Sequence, residues 1–290
     1  MKRLLAVLLP LLGTVPAAAQ DMPLSQILLP DQPWKQHGKW LGFAVVAADH
    51  KGSLYLADAE GQILRASEGQ PPDIVHRVGR PVVALAFDAQ DRLHYLDRKG
   101  QVVRVEGNDE KGMGAQAGAA SFVFASNGDV YCTVPKDNAV YRIANGTSTK
   151  AAEVPSPSGL VFWADGGTLV VASATAPALW AFRVKQDGTL DAGERYYQPV
   201  RVRGREPSGT GGLTVDRVGR LYAATPLGVQ VFDPTGRLCG LLLPAKLGEP
   251  TTAVVFAGGD LDLLVCVCGD RLYARQLRTQ GLGPAPAPKP

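Results

Sequence analysis

Residues 211–234 read GGLTVDRVGRLYAATPLGVQVFDP, and this stretch decides the fold. It holds three short apolar runs, at residues 213–215, 221–224 and 229–232, and the turns between them are rich in Gly, Asp and Pro. Apolar runs of this length with such boundaries are typical of β-strands, and nothing in the stretch has the 3.6-residue period of a helix. The stretch therefore predicts three consecutive short strands joined by tight turns.

The same pattern occurs six times along the chain. Its middle run falls at Leu54-Tyr55, Leu93-His94, Val130-Tyr131, Leu169-Val170, Leu221-Tyr222 and Leu263-Leu264. A unit of several strands that repeats every 40–50 residues or so is the signature of a β-propeller. We therefore predict an all-β, six-bladed β-propeller that occupies residues 20–277 as a single domain.

Composition and charge agree with this prediction. A hydrophobic fraction of 46% is enough to fill a sizeable core, and 33 Gly and 22 Pro suit a fold with many tight turns. The formal net charge is +3, with the basic residues scattered along the chain. This distribution gives no footprint for nucleic acid.

The first 19 residues have the pattern of a signal peptide. Lys2-Arg3 is followed by an apolar run at residues 4–12 and by the small residues Ala17-Ala18-Ala19. An uncleaved anchor is the alternative, although the apolar run is short for a span. We expect an exported protein, periplasmic or secreted, with no membrane span once the signal is cleaved.

The two ends of the domain predict how the ring closes. The sixth unit reaches its third strand near residues 272–277, and the chain then continues as a Pro-rich segment, 278–290, which we expect to be disordered. The sixth blade therefore lacks a fourth strand of its own. We predict that residues 27–40 supply an N-terminal strand that closes the ring and removes an exposed sheet edge.

A long connection at residues 185–208 separates the fourth and fifth repeats. In it Arg201, Arg203 and Arg205 alternate with Val202 and Gly204, so the three arginines point the same way if the segment is extended. One interpretation is a solvated loop. The other is a basic lip over the face of the propeller that receives an anionic ligand.

Three segments resemble a known family: residues 224–244 (ATPLGVQVFDPTGRLCGLLLP), residues 157–184 (PSGLVFWADGGTLVVASA…LWAFRV) and residues 23–30 (PLSQILLP). They are similar to segments of the senescence-marker-protein/gluconolactonase family, which includes regucalcin-like proteins. The resemblance implies a six-bladed propeller whose channel holds a calcium or zinc ion. It also implies hydrolysis of sugar lactones or related esters at that ion.

The family's metal ligands, two acids and two asparagines, are missing at the matching positions. Those positions are occupied here by Leu41, Ala120, Ser158 and Gly211. Of these four only Ser158 has a side-chain oxygen, and a neutral hydroxyl is a weak ligand for a divalent ion. We therefore expect no family-type metal site and no cofactor. Ca2+ or Zn2+ would be expected only if the site were rearranged.

Other polar residues are candidates for ligand binding at the mouth of the channel. They are Asp58, Asp97, Asp137, Asn138, Ser158 and Thr210. The loops that join the second and third strands of a blade share one face of a propeller, so the three carboxylates could converge there. The alternative is that each Asp simply forms its own turn.

Three functions follow from these observations. The first is an exported gluconolactonase-like propeller that has lost the metal ligands, serves as a binding or scaffold protein and has little or no lactonase activity. The second is a lactone or ester hydrolase with a rearranged, metal-dependent site. The third is a repeat-type propeller for protein interaction. In each case we expect a monomer whose partner is an unknown small molecule or protein.

Overall fold

The computed structural model describes residues 22–42, 45–66 and 71–285. Within these ranges 24 strands form six antiparallel four-stranded sheets, which are the blades of a β-propeller. This confirms the fold predicted from the repeat. The signal-peptide pattern at residues 1–19 and the last residues, 286–290, lie outside the described residues.

The chain runs from the inner to the outer strand of each blade. The first strand is β1 (Lys35–Leu41). Blade one is formed by β2 (Val45–Ala48), β3 (Leu54–Ala57), β4 (Gln62–Ala66) and β5 (Asp73–Arg77), blade two by β6 (Val82–Phe87), β7 (Leu93–Asp97), β8 (Gln101–Glu106) and β9 (Asp109–Ala115), and blade three by β10 (Ser121–Phe124), β11 (Val130–Val134), β12 (Ala139–Ala144) and β13 (Thr147–Glu153). Blade four is formed by β14 (Pro157–Phe162), β15 (Thr168–Ser173), β16 (Leu179–Val184) and β17 (Leu190–Tyr197), and blade five by β18 (Leu213–Val215), β19 (Leu221–Thr225), β20 (Gly228–Phe232) and β21 (Leu238–Leu242). The sixth blade adds β22 (Thr251–Ala257), β23 (Leu263–Cys268) and β24 (Arg271–Gln276). Two short 3₁₀ helices span Leu24–Gln26 and Pro135–Asp137.

Aspartate residues brace the turns after several inner strands. Asp216 is fully buried, and its Oδ1 atom accepts hydrogen bonds from the backbone N–H groups of Val218 and Arg220, at 3.1 and 2.8 Å. Asp49 and Asp88 make the same pair of bonds in the first and second blades. Each Asp carboxylate therefore supplies a hydrogen-bond acceptor for backbone N–H groups that a tight turn would otherwise leave unpaired.

The core lies between the blades. Six buried apolar clusters fill the described part of the chain, and each joins one pair of neighbouring blades. In three of these interfaces a Tyr from a second strand packs on a Phe from the next inner strand, with ring centroids 4.8–5.8 Å apart: Tyr55 on Phe87, Tyr131 on Phe162 and Tyr222 on Phe256. The tyrosine of the repeat thus locks each of these blades onto its successor.

An N-terminal strand closes the ring, as the sequence predicts. β1 pairs with β24, so that the sixth sheet has the order β1-β24-β23-β22. Ile27 is buried, and its carbonyl oxygen accepts a hydrogen bond of 2.8 Å from the N–H of Arg278. The first and last blades are therefore held together through the outer strand of blade six.

The structure differs from the prediction of a disordered C-terminal segment over residues 278–285. Gly281 forms an antiparallel bridge with Asp216, and the Gly281 N–H donates to the Leu261 carbonyl at 2.7 Å. The Leu282 N–H donates to the Val215 carbonyl at 3.0 Å. The segment therefore crosses the end of the channel where the inner strands finish. Backbone hydrogen bonds and a Leu in an apolar cluster outweigh the low strand propensity of its Gly and Pro residues.

No helix within the described ranges has the length and the apolar character that crossing a bilayer requires.

Candidate functional site

A cavity of about 480 Å³ follows the axis of the propeller. The inner strands of five blades line it with half-buried apolar residues: Val46, Ala84, Val123, Val161 and Val255. Asp49 is the one ionisable residue among the described residues that line it, and its Oδ1 atom is already bonded to the backbone of its own turn. The described lining is therefore mainly apolar, with Asp49 as its single ionisable side chain.

The C-terminal segment covers one end of this cavity. Leu282, Gly283, Pro284 and Ala285 all belong to the lining. Ala285 packs against the apolar cluster between the second and third blades, while Leu282 packs against the cluster between the fourth and fifth. The segment therefore lies across one end of the channel, and the opposite end is the one where the inner strands begin.

Hydrogen bonds join successive blades at this open end, which we call the mouth. The Oγ1 atom of Thr133 donates to the carbonyl of Ser158 at 2.8 Å, and the Oγ atom of Ser158 donates to the carbonyl of Thr210 at 2.6 Å. The N–H of Gly212 continues the series by donating to the carbonyl of Thr252 at 2.9 Å. The mouth is therefore a fixed rim of backbone carbonyls and hydroxyls across blades three to six.

Three glycines bring the backbones of the rim close together. A Cβ atom at Gly159 would lie 2.2 Å from the carbonyl oxygen of Gly211, and one at Gly211 would lie 2.1 Å from that of Thr252. A Cβ atom at Gly212 would lie 3.1 Å from the Cα of Ala253. Side-chain atoms do not approach backbone so closely, so only glycine fits at residues 159 and 211 in this arrangement.

The residues present do not fit the divalent ion that the resemblance implies. Ala120, Ser158 and Gly211 line the cavity at its mouth, and among them only Ser158 offers a side-chain oxygen. A carboxylate at residue 211 would need a Cβ atom where the Thr252 carbonyl already lies. The side chain of Leu41 lies outside the described residues. In the described ranges no three His, Cys, Asp or Glu residues are grouped so as to hold a metal.

The three carboxylates expected at the mouth accept hydrogen bonds from nearby residues and are not part of the cavity lining. Asp58 accepts the N–H of Gln62 at 2.7 Å, and Asp137 accepts the hydroxyl of Tyr141 at 2.9 Å. This hydrogen bond raises the pKa of Tyr141. Asp97 is 1% exposed. Its Oδ1 atom accepts hydrogen bonds from two backbone N–H groups, and its Oδ2 atom accepts one of 3.1 Å from the Nε–H group of Arg80.

Of the six candidate residues, the structure brings Ser158 to the cavity. Asn138 has a left-handed backbone, and its Oδ1 atom accepts the N–H of Ser156, a lining residue, at 2.8 Å. Thr210 is buried beside the rim, and its Oγ1 atom has no hydrogen-bond partner among the described residues. A direct role of Asp58, Asp97, Asp137, Asn138 or Thr210 in ligand binding stays a prediction.

Sequence reasoning missed several residues of the lining. Ser121 and Thr252 contribute hydroxyl groups to the lining, and the segment from Leu282 onward forms one end of the cavity. Ser121 is the first residue of β10 and Thr252 the second residue of β22, so the position in the repeat was a usable signal. The composition of the C-terminal segment gave no such signal.

Two of three comparisons with known proteins found matches, and these two agree on the fold. A family model described as SMP-30/Gluconolactonase/LRE-like region matches residues 41–268. No curated protein matches the sequence. Among solved structures, a putative gluconolactonase has a TM-score of 0.75 at 16% identity over 89% of this chain and 97% of its own.

Two further solved structures come from named bacteria. A gluconolactonase from Xanthomonas campestris has a TM-score of 0.72 at 21% identity over 86% of this chain and 91% of its own. A calcium-binding protein, regucalcin, from Agrobacterium tumefaciens has a TM-score of 0.71 at 15% identity over 89% of this chain and 98% of its own. At these identities the likeness is one of fold.

Proposed function

The chain belongs to the SMP-30/gluconolactonase/LRE-like family, and from that premise we propose that it is a binding protein with little or no metal-dependent lactonase activity. Its cavity takes a small, uncharged and mainly apolar molecule. The observation that carries the proposal is the contact between Gly211 and Thr252, which occupies the space of an acidic metal ligand. The signal-peptide pattern supports binding in the periplasm or outside the cell.

The chemistry of the cavity selects the ligand. A volume of about 480 Å³ lies within the range of small-molecule sites. Valine and alanine side chains form most of the wall, and transfer of an apolar surface from water into such a wall is favourable. Burial of a charge with no counter-charge would be costly. The cavity therefore favours neutral, apolar molecules.

The mouth adds a limited polar contribution. Ser121, Ser156 and Ser158 lie among the lining residues, together with Thr252. The Ser158 hydroxyl donates its proton to the Thr210 carbonyl, so its lone pairs can accept a hydrogen bond from a ligand. One polar group of a ligand, such as a hydroxyl, can be satisfied here while the rest of the molecule lies deeper.

A calorimetric titration tests the metal part of this proposal. The protein is treated with a chelator and titrated first with calcium and then with zinc, with the Agrobacterium tumefaciens calcium-binding regucalcin as the positive control. We expect no binding of either ion in the cavity. Binding of one ion at micromolar affinity or better would contradict the proposal, and lactone hydrolysis would then be the next assay.

A neutral fluorescent probe tests the cavity itself. We expect saturable binding of N-phenyl-1-naphthylamine, and we expect Val161→Trp to weaken it because the indole fills the space beside a lining residue. Val218→Trp is the matched control, since Val218 is 53% exposed and is not part of the lining. Equal probe affinity in the two variants would show that the probe binds elsewhere.

A further inference from the structure

A second concavity lies on the same face as the mouth. It has a volume of about 300 Å³ and is formed by the connection between blades four and five, the turn after β19 and the connection between blades five and six. We call it the arginine groove and define it by Arg201, Arg203, Leu241, Leu243, Pro244 and Leu247. It shares no lining residue with the central cavity among the described residues.

The leucines of the groove are unusually open to solvent. Leu247 is 81% exposed and Leu243 is 63% exposed, more than any other large apolar residue in the described ranges. Their loop is nevertheless held in place, because the Nε1 atom of Trp34 donates to the Leu243 carbonyl at 3.0 Å and the thiol of Cys268 lies 3.5 Å from the Glu249 carbonyl. The groove is therefore a fixed apolar surface, as binding sites often are.

The backbone of Arg201 is fixed by a buried amide. Gln230 is fully buried; its Oε1 atom accepts the Arg201 N–H, and its Nε2 atom donates to the Arg201 carbonyl, both at 2.8 Å. Ser208, at the other end of the same segment, donates to the carbonyl of Ser173 at 2.6 Å. Both ends of the segment that carries Arg203 are therefore anchored.

The two arginines have free guanidinium groups. Neither Arg201 nor Arg203 makes a side-chain hydrogen bond or an ion pair with any residue that the structure describes. Glu206 also lines the groove, so the lining carries two positive side chains against one negative. A guanidinium binds a carboxylate through two parallel hydrogen bonds, so an anion is a partner that both arginines can take.

We propose that the arginine groove binds an amphipathic anion with one carboxylate and a medium-length alkyl chain. The carboxylate pairs with Arg201 and Arg203, and the chain covers Leu241, Leu243 and Leu247. The positive surplus and the exposed leucines of the lining match a fatty carboxylate in both charge and polarity. The arginine pattern allowed two interpretations, a solvated loop and a basic lip that receives an anionic ligand. The proposal corresponds to the second.

Calorimetry with sodium decanoate tests the proposal on the whole protein. We expect saturable binding that weakens about tenfold or more in the variant Arg201→Gln/Arg203→Gln, because charged hydrogen bonds are lost. Arg205→Gln is the matched control from the same segment, since Arg205 is not part of the lining; we expect its affinity to stay within about twofold of the parent. Raising the salt concentration should weaken binding.

Other results would overturn the proposal. No binding of decanoate, or equal binding of decyltrimethylammonium, would exclude an anion site. Decanoate binding that survives Arg201→Gln/Arg203→Gln but is lost in Val161→Trp would place the ligand in the central cavity. A concentration-dependent dimer that Leu243→Ser/Leu247→Ser abolishes would show that a second copy of the chain covers the groove.

Discussion

A Cβ atom at Gly211 would lie 2.1 Å from the carbonyl oxygen of Thr252, at the point where blades five and six meet at the mouth. The family resemblance places an acidic metal ligand at residue 211. In this chain the carbonyl of Thr252 lies in the space that such a side chain would need. An acidic residue at position 211 therefore requires a shift of the neighbouring backbone as well as a change of residue type.

Side chains at residue 211 should destabilise the propeller. For Gly211→Ala we expect a loss of at least about 1–3 kcal/mol in the free energy of unfolding, because backbone atoms must shift to admit the methyl group. Chemical denaturation measures this loss. Gly167→Ala is the control, since nothing lies within 4 Å of its added Cβ. Equal stability of the two variants would show that the mouth is not tightly packed.

The variant Gly211→Asp distinguishes the effect of backbone packing at the mouth from the effect of the missing carboxylate. We expect Gly211→Asp to be at least as unstable as Gly211→Ala and still not to bind calcium in the titration described above. Calcium binding in Gly211→Asp would mean that the rim opens easily and that only one carboxylate was missing.

The N-terminal strand should be required for folding. A protein that begins at Gly42 lacks β1 and leaves the edge of β24 unpaired. We expect it to aggregate or to lose its cooperative melt, because an exposed strand edge is open to intermolecular pairing. A protein that begins at Asp21 is the control. Circular dichroism melts compare the two, and a soluble, cooperatively folded short form would contradict the closure mechanism.

The fold could be predicted from the sequence because its signals are local and repeated. Each middle strand, such as that at Leu221-Tyr222, follows an Asp or Gly turn at a similar distance, so the repeat alone indicates blades. The Pro-rich end likewise implied that residues before the first blade supply the missing strand. Both predictions depend on neighbours in sequence, and the structure confirms both.

The mouth could not be predicted in the same way. The approach of Gly211 to Thr252 joins residues from different blades, and the carboxylates of Asp58 and Asp97 are used by neighbouring backbone groups. The position of Leu282 across the channel depends on backbone hydrogen bonds to Val215. Such contacts arise from tertiary packing, which composition and spacing do not encode.

His94 takes the place of the repeat tyrosine in the second blade and should give the protein a pH response. It packs on Phe124 with ring centroids 4.3 Å apart, as Tyr222 packs on Phe256 in the fifth blade. Burial lowers the pKa of His94 to about 4, while Asp88, whose Oδ2 atom lies 3.8 Å away, opposes this shift. The positive charges of Arg92 and Arg104 also lower the pKa of His94.

The sign of the response follows from the lowered pKa. Between about pH 6.5 and about pH 4 the unfolded chain binds a proton at His94 and the folded chain does not, so stability falls as the pH falls across this window. A lowering of the pKa from 6.5 to about 4 corresponds to at most about 3–4 kcal/mol of the free energy of unfolding. Urea denaturation at a series of pH values measures the fall.

His94→Tyr tests this prediction with the residue that blades one, three and five have at this position. In the fifth blade the hydroxyl of Tyr222 donates to Asp216 at 3.1 Å, and Asp88 occupies the matching turn in the second blade. We expect the variant to fold and to lose most of the pH dependence between pH 6.5 and pH 4. An unchanged slope would assign the titration to another group.

The C-terminal segment should hold one end of the cavity closed. A protein that ends at Gln280 lacks Leu282 and its hydrogen bond to Val215, together with the residues that line that end. We expect lower stability and faster association and dissociation of N-phenyl-1-naphthylamine, because the ligand then has two routes into the cavity. A protein that ends at Ala285 keeps the whole described segment and is the control. Stopped-flow fluorescence measures both rates, and identical kinetics in the two proteins would show that the segment does not block the channel.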